Sequence, residues 1–421
     1  MKAISLADPR HLSGTVKPSV LEDLARNLVL RQLRRLEIGR VTLREGHAVS
    51  SYGEDSSTAT IHAAVEVLDP SFYCDVAFGG TIGAGEAYMR GTWRADDLVR
   101  VVRILVRNRS VMEDMDKGSA RLTRPLQNLF HKLNRNTRDG ARRNISAHYD
   151  LGNDFFRLWL DETMMYSSAI FEHDTDSLAD AQRHRLDIIC DKLDLGPDDH
   201  VVEIGTGWGG FALHAARNRG CRVTTTTISE QQYRLARQRV REAGLENQVE
   251  VLLEDYRDLT GRYNKLVSIE MIEAIGSEHY DEYFSKCNEL LRPGGRMLIQ
   301  AITTFDRQHE LLKKEVDFIQ RYIFPGGCLP SITAMAGAIG RVSELLITGL
   351  EDIGRHYALT LYHWRQNFFA HIDKVRELGY PEEFIRMWEF YLTYCEGAFA
   401  DRAISNILLI AEKPGYPAQR R

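Results

Sequence analysis

Apolar positions along the chain fall into two regimes. Between residues 17 and 40, Val20, Leu21, Leu24, Leu28, Leu30, Leu33 and Leu36 recur near a 3.6-residue period, which predicts a helix. Short strand-like runs follow at VTLREG (41–46) and TATIHAAVEVLD (58–69), broken by Gly and Ser. The stretch FGGTIGAGEAYMRGTW (78–93) reads as turn-forming because of its glycines, ahead of an apolar helix over about 96–108. From residue 178 the pattern changes to alternating helix and strand. Helices are predicted at 178–194, FALHAARNRG (211–220), SEQQYRLARQRVREAGL (229–245, with Ser229 as N-cap) and HYDEYFSKCNELL (279–291). Strands are predicted at HVVEIGTG (200–207), CRVTTTTI (221–228), QVEVLLED (248–255), YNKLVSIEM (263–271) and RMLIQAIT (296–303), the last after RPGG. Such alternation implies a doubly wound α/β sheet.

Length adds a second domain. A chain of 421 residues suits two or three domains, and 43% apolar with 27% charged residues is an ordinary globular balance. No apolar run approaches the roughly 18–20 residues that a spanning helix needs. The N-terminus MKAISLADPRHLSG lacks the apolar core of a secretion signal, so a cytoplasmic protein is expected. Six cysteines, none closer than 31 residues to the next, exclude a CxxC motif, and His148 and His356 have no partner at metal-ligand spacing. No metal is expected.

Charge is uneven. The net charge of −5 argues against nucleic acid as a partner, yet residues 117–143 carry eight Lys/Arg against Asp139 alone. Leu122, Leu126, Leu129, Phe130 and Leu133 sit at helical spacing in that segment. It suits an anionic membrane surface, or a solvated linker helix packed on a neighbouring domain. The division that follows is an N-terminal accessory domain (1–110), a basic linker (111–143) and a catalytic domain (144–421).

The chemistry concentrates at Glu203-Ile-Gly205-Thr-Gly207-Trp-Gly209-Gly210, where a strand runs into a helix. Glycines there let the backbone turn sharply and approach a ligand, and the helix N-terminus offers free N–H groups. The string fits both a dinucleotide GxGxxG and the ExGxGxG of S-adenosylmethionine-dependent methyltransferases. The third strand ends in Glu254-Asp255-Tyr256, an acid beside an aromatic that suits an adenine, and the second ends in Thr227-Ile228-Ser229 rather than in an acid for an NAD ribose. S-adenosylmethionine is therefore the expected cofactor.

With those residues placed, the chain resembles the cyclopropane fatty acid synthase family from about residue 144 to about 410. The likeness is carried by HYDLGNDFF (148–156), MMYSSAIF (164–171), VVEIGTGWGGFA (201–212), TTISEQQ (226–232), EDYRDL (254–259), EMIEAIG (270–276), RPGG (292–295), RYIFPGGCLPS (321–331) and HYALTLYHW (356–364). The resemblance implies a Rossmann-like methyltransferase core with helical insertions at 144–180 and 305–400 over the site. It implies methyl transfer from the sulfonium to a cis double bond of a phospholipid acyl chain, then cyclopropane closure with proton loss to bound bicarbonate. It further implies a homodimer peripheral to the inner face of the membrane. Carried over position by position, the cofactor contacts fall on Tyr166, Ser167, Gly205, Gly207, Thr227, Ile228, Gln232, Tyr256 and Ile269.

The family's bicarbonate cage falls on Glu273, Tyr357 and the backbone of Ile302, with Ser168 replacing a cysteine and Gln300 a histidine. Ala274 also stands where a histidine often follows the glutamate. Serine and glutamine can donate hydrogen bonds to an anion, but Gln300 brings no positive charge. Ring closure, a methyl branch and a methylene branch all remain compatible with this pattern, as do a small-molecule methyltransferase and a silent lipid binder on the same core. Phe155, Phe156, Trp159, Tyr322, Phe324 and Trp364 are candidates for an acyl tunnel, some of them as core residues instead, and Trp208 is open between packing and ligand contact.

Overall fold

The computed structural model describes residues 19–117 and 151–415. The basic run from residue 118 to 143, with its five helical-spaced apolar residues, lies outside these residues, as does His148.

The larger sheet has seven strands in the order β10-β11-β9-β8-β5-β6-β7. They are β5 (His200–Ile204), β6 (Arg222–Thr227), β7 (Val249–Leu253), β8 (Tyr263–Ile269), β9 (Leu291–Thr304), β10 (Leu346–Asp352) and β11 (Ile404–Glu412). The five from β5 to β9 are parallel, while β11 runs antiparallel to β9, and β10 to β11. Their side chains are buried on both faces, as Val201, Val202, Val267, Leu298 and Leu408 show, which is why these strands read as apolar runs rather than alternations. Chain order reverses at β5, between β6 and β8. In open α/β sheets ligands bind beyond the carboxyl ends of the strands at such a switch point.

The predicted helices of this half form at Leu178–Leu193, Gly210–Arg219, Glu230–Glu242 and Tyr280–Leu290. Ser229 caps the third by accepting from the Gln232 amide at 3.3 Å. The cover expected to be helical over 305–400 contains long helices at Gly354–Ala370 and Glu382–Ala400, but also the edge strand β10. Between 151 and 180 only Asn153–Arg157 and the start of the next helix are helical; the rest is irregular chain held by side chains.

The N-terminal half holds a four-stranded sheet in the order β2-β1-β3-β4, from β1 (Arg40–Glu45), β2 (Ala48–Gly53), β3 (His62–Val67) and β4 (Trp93–Ala95). Helix Leu98–Arg107 packs on this sheet, while the helix Ser71–Arg90 carries Val20–Leu33 and Arg109–Lys117. The last occupies the first residues of the expected linker, with Val111 1% exposed in the core. The glycine-rich stretch is no loop: Ser71–Arg90 is helical, kinked at Gly80 with φ 59°. Tertiary packing overrides the low helix propensity of its glycines. A Cβ on Gly85 would lie 2.5 Å from the ring of Phe318, which is itself buried against Phe390.

This helix, Leu98–Arg107 and the helix Glu382–Ala400 share one hydrophobic core. Tyr88 donates to Glu389 at 2.8 Å, and Arg103 and Arg107 both pair with Asp401. Burial would raise the Asp401 carboxyl, but the two guanidiniums outweigh it and hold it below its ordinary value.

Gly85 separates two effects of opposite sign. Helix propensity alone makes Gly→Ala stabilising by roughly 0.5–1 kcal/mol. Overpacking against Phe318 costs about 1–3 kcal/mol and should win. Gly85→Ala is therefore expected to lower the urea midpoint; a raised midpoint would show that the interface gives way freely.

Candidate active site

At the carboxyl edge of the sheet a cavity of about 410 Å³ runs from the glycine turn after β5 to the underside of the helical cover. Its first end is built by backbone. Gly205 and Gly207 take φ of 101° and 52°, left-handed values that favour glycine, and the Gly205 and Thr206 amides bond to the Thr226 carbonyl. Thr227 donates to Gln232 Oε1 at 2.8 Å and accepts from the Ser229 amide at 3.1 Å, which fixes both side chains beside the turn. Tyr166, Ser167, Gly205, Gly207, Thr227, Ile228, Gln232, Tyr256 and Ile269 all line this cavity.

Three polar atoms there are buried without partners, Ser167 Oγ, Glu203 Oε2 and Tyr256 Oη. Burial pushes the Glu203 carboxyl up to about 8. Asp255 is less free than its position beside Tyr256 suggested, since its carboxylate is held bidentately by Arg257 at 2.8 and 2.7 Å.

The tyrosine hydroxyls of Tyr166 and Tyr391 meet at 2.7 Å, and the Tyr166 ring sits among Phe156, Trp159, Phe324 and Trp364. Of the six aromatics considered for a tunnel, Phe324 lines the cavity. Phe155, Phe156, Trp159 and Trp364 are wholly buried in the core behind it, and Tyr322 donates to Glu86 of the N-terminal half. Trp208 does both jobs: it is buried, donates to Asn153 at 2.7 Å and lines the cavity.

The other end is acidic. Glu273, just past β8, has one carboxylate oxygen on the Ile302 amide and the other buried without a partner. Burial, and then the neighbouring Glu270, push it up to about 8. Glu270 was not singled out from the sequence, although it opens the EMIEAIG motif. It directly follows β8, and its φ of 49° is unusual for a residue with a side chain. That turn puts its carboxylate into a ring of donors. Oε1 accepts from the Ser168 amide at 3.0 Å, Gln300 Nε2 at 2.7 Å and Asn406 Nδ2 at 2.5 Å; Oε2 accepts from the Tyr357 hydroxyl at 2.8 Å. Burial raises the Glu270 carboxyl, opposed by these bonds and by the cation of Arg185.

Arg185 was likewise missed. It is 0% exposed, donates to Gln300 Oε1 at 3.2 Å and to Gln182 at 2.8 Å, and is lowered by burial to about 10, so it stays charged at neutral pH. Burial, then Glu270, raise Tyr357 well above the usual tyrosine range, which keeps it a donor.

The five expected cage residues thus meet at one place, but not around an open space. Glu273, Ile302 and Tyr357 reach the cavity, whereas Ser168 and Gln300 are fully buried and do not line it. The Ser168 hydroxyl turns away to the Ala169 carbonyl at 3.0 Å; only its amide faces the ring. Gln300 spends its amide nitrogen on Glu270. The donors expected to hold bicarbonate are all committed within the chain: Gln300 and Tyr357 to Glu270, the Ile302 amide to Glu273 and the Ser168 hydroxyl to the Ala169 carbonyl. Bicarbonate does not fit this cage. Among the described residues no cluster of His, Cys, Asp or Glu has metal-binding geometry.

Comparison with known proteins agrees with the geometry of the glycine turn. Residues 136–408 match the family described as mycolic acid cyclopropane synthetase. The chain is 42% identical over 331 residues to the tuberculostearic acid methyltransferase UfaA1 of Mycobacterium tuberculosis, covering 76% of each chain. It is 36% identical over 350 residues to the cyclopropane-fatty-acyl-phospholipid synthase of Escherichia coli, covering 81% of this chain and 86% of that one. The solved structure of mycolic acid cyclopropane synthase CmaA1 complexed with SAH and CTAB is similar at TM-score 0.60 and 32% identity, over 65% of this chain and 98% of that one. A coclaurine N-methyltransferase at 20% identity and TM-score 0.62, over 76% and 95% of the two chains, shares the fold.

The raised Glu273 carboxyl makes stability depend on pH. An unfolded glutamate titrates near 4.3, so the folded ligand-free protein holds a proton here between that pH and about 8. The stability linked to that proton is full below about pH 4.3 and is lost as pH rises through 8. Glu273→Gln cannot ionise and is expected to flatten the fall of Tm between pH 5 and 8.5; an unchanged slope would mean that Glu273 is charged at neutral pH.

Proposed function

The chain belongs to the mycolic acid cyclopropane synthetase family, and on that premise we propose that it transfers a one-carbon unit from S-adenosylmethionine to the cis double bond of a phospholipid acyl chain and closes a cyclopropane ring. The observation that carries this reading is the single cavity with a glycine turn at one end and buried carboxyls under an apolar cover at the other.

S-adenosylmethionine, when bound, supplies an electrophilic methyl group. The residues at the first end fit it. Gly205 and Gly207 leave the backbone open to close approach, Thr227 and Gln232 are held beside it, and the orphaned oxygen of buried Glu203 suits a cationic, hydrogen-bonding ligand. Tyr166, Ser167, Ile228, Tyr256 and Ile269 complete the wall.

At the second end Phe324, Leu361, Ala398 and Phe399 line the cavity and keep water from the acyl chain. Methyl addition to an alkene leaves a positive charge on the adjacent carbon, which water would trap; a dry pocket with few, placed bases lets it lose a proton instead. The buried Glu270 carboxylate close by stabilises that charge as it develops.

A second reading, a methyl or methylene branch at the same carbon, is favoured by the 42% identity to a tuberculostearic acid methyltransferase and by Ser168, Gln300 and Ala274.

A bilayer-buried double bond requires the enzyme to work at the membrane surface. No helix among the described residues is long and apolar enough to cross one. The proposal is a peripheral enzyme at the inner face, with the basic segment 117–143 on the headgroups, the N-terminal part as an accessory domain, and a homodimer as the working unit.

Incubation with S-adenosylmethionine and vesicles of a cis-monounsaturated phospholipid tests the reaction. Mass spectrometry of the released esters is expected to show a gain of one CH2, with upfield ring protons by NMR. Vinylic methylene signals would transfer the assignment to the second reading, and no gain on any acyl lipid would refute both. Reversing four basic charges within 117–143 is expected to weaken binding to anionic vesicles by about tenfold or more, at roughly 1 kcal/mol for each residue that touches the surface. Activity on detergent-dispersed lipid should fall far less; equal loss in both assays would remove the membrane role.

A further inference from the structure

The cage that the resemblance assigns to a dissolved anion already contains one. We infer that Glu270 is a catalytic residue that takes the place of bicarbonate and accepts the proton lost from the substrate cation. The inference deepens the lipid-modifying reading above and rests on it.

Four observations converge. First, the donors meet on Glu270: the Ser168 amide, Gln300, Asn406 and Tyr357 come from a loop, β9, β11 and the cover helix, and all bond to one side chain. Second, the backbone is strained to put it there, since φ of 49° is a left-handed value at a residue with a side chain and persists only where the surroundings demand it. Third, the two residues that depart from the family's cage are the two that this carboxylate makes redundant. A bound bicarbonate gains from a cationic histidine; a tethered carboxylate needs only a neutral amide, and Gln300 supplies it while Arg185 provides the charge from behind. Fourth, Glu270 lines the cavity beside Glu273 and Tyr357, so the carboxylate can touch a bound chain.

The two oxygens have different tasks. Oε1, with three donors, is saturated. Oε2 accepts only from Tyr357 and keeps a lone pair for a proton. In the reaction the alkene π electrons form the new C–C bond as the methyl–sulfur bond breaks, and the pair returns to sulfur. A C–H bond of the new methyl then supplies the electrons that close the ring, or a neighbouring C–H those of an alkene, and the proton goes to Glu270 Oε2. No other oxidant, reductant or anion is required.

The test uses the full chain, wild type and variants, in CO2-free buffer with and without added bicarbonate, on the phospholipid vesicles described above. Wild-type turnover is expected to be the same in both. Glu270→Gly, which also relaxes the left-handed φ, is expected to lose about 100-fold or more in CO2-free buffer and to recover in part when bicarbonate fills the vacated space. Glu270→Gln fills the cage without a base and is expected to stay inactive in both. S-adenosylmethionine binding by calorimetry establishes that each variant is folded.

Carbon-13 NMR of labelled bicarbonate gives a readout free of turnover. Line broadening is expected with Glu270→Gly and not with wild type. Bicarbonate-dependent wild-type turnover, bicarbonate bound by wild type, or a Glu270→Gln variant as active as wild type would each overturn the inference. If Glu270→Gly does not fold, the wild-type and Glu270→Gln arms still decide. If wild type modifies no acyl lipid, the substrate reading fails, and the NMR comparison alone judges the cage.

Discussion

The site depends on keeping one charged carboxylate out of water. An isolated carboxylate buried in an apolar interior is too costly to persist, so it must be paired and hydrogen-bonded from several sides. Glu270 meets that demand with donors drawn from distant parts of the chain. Ser168 precedes the first helix of the methyltransferase core, Gln300 sits near the end of β9, Asn406 on the antiparallel β11, and Tyr357 on the cover helix Gly354–Ala370. Arg185 closes the set with a buried cation whose two terminal nitrogens donate to Gln300 and Gln182. Sheet, cover and connecting loop are therefore tied at the point where the cavity turns acidic. Losing any one donor would leave a buried charge short of a partner, so the network should behave as a unit in double-mutant cycles.

That coupling extends outward through packing. The helix carrying Tyr357 lies against Glu382–Ala400, and this second helix is gripped from the other side by the N-terminal half, through Tyr88, Arg103, Arg107 and the close approach at Gly85. Val106, Arg109 and Met112 of the N-terminal half line the same cavity as Glu270. An accessory role confined to docking would not require these residues to form the wall of the site. The N-terminal elements hold the cover at a fixed height over the sheet, which sets the width of the space that an acyl chain can enter.

Much of this was legible in the residues. The parallel strands announced themselves as apolar runs, and the Ser229 cap and the glycine turn followed from local chemistry, because those features are decided within a few residues. The failures have a common physical cause: they were decided by contacts far along the chain. Residues 78–93 carry helix-breaking glycines and are nonetheless helical, since Phe318 and Phe390, more than 200 residues away, pack where side chains would otherwise stand. β10 has the exposed, irregular pattern of an edge and is a strand only because β11 pairs with it. Ser168 and Gln300 were visible as departures, but their meaning lay in Glu270, whose left-handed turn has no signature in a one-dimensional pattern. A cue was present all the same: a second glutamate in EMIEAIG, three residues before the expected one, directly after a strand whose last four residues are apolar apart from Ser268.

A tethered base differs from a diffusible one in what it can choose. Bicarbonate in an open cage adjusts its position to the cation that forms, and each turnover begins with an anion captured from solution. Glu270 is held by four bonds and a strained backbone, so its free oxygen lies in one place relative to the glycine turn that presents the methyl group. Whichever hydrogen of the cation comes nearest that oxygen is the one lost: a hydrogen of the new methyl closes a ring, one from the adjoining chain leaves an alkene branch. In this architecture the product is thus a question of where the acyl chain rests against Phe324, Leu361 and Phe399, not of how strong the base is. The choice between ring and branch in this chain then turns on a shift of the lipid by about one carbon–carbon bond, with the Glu270 carboxylate unmoved.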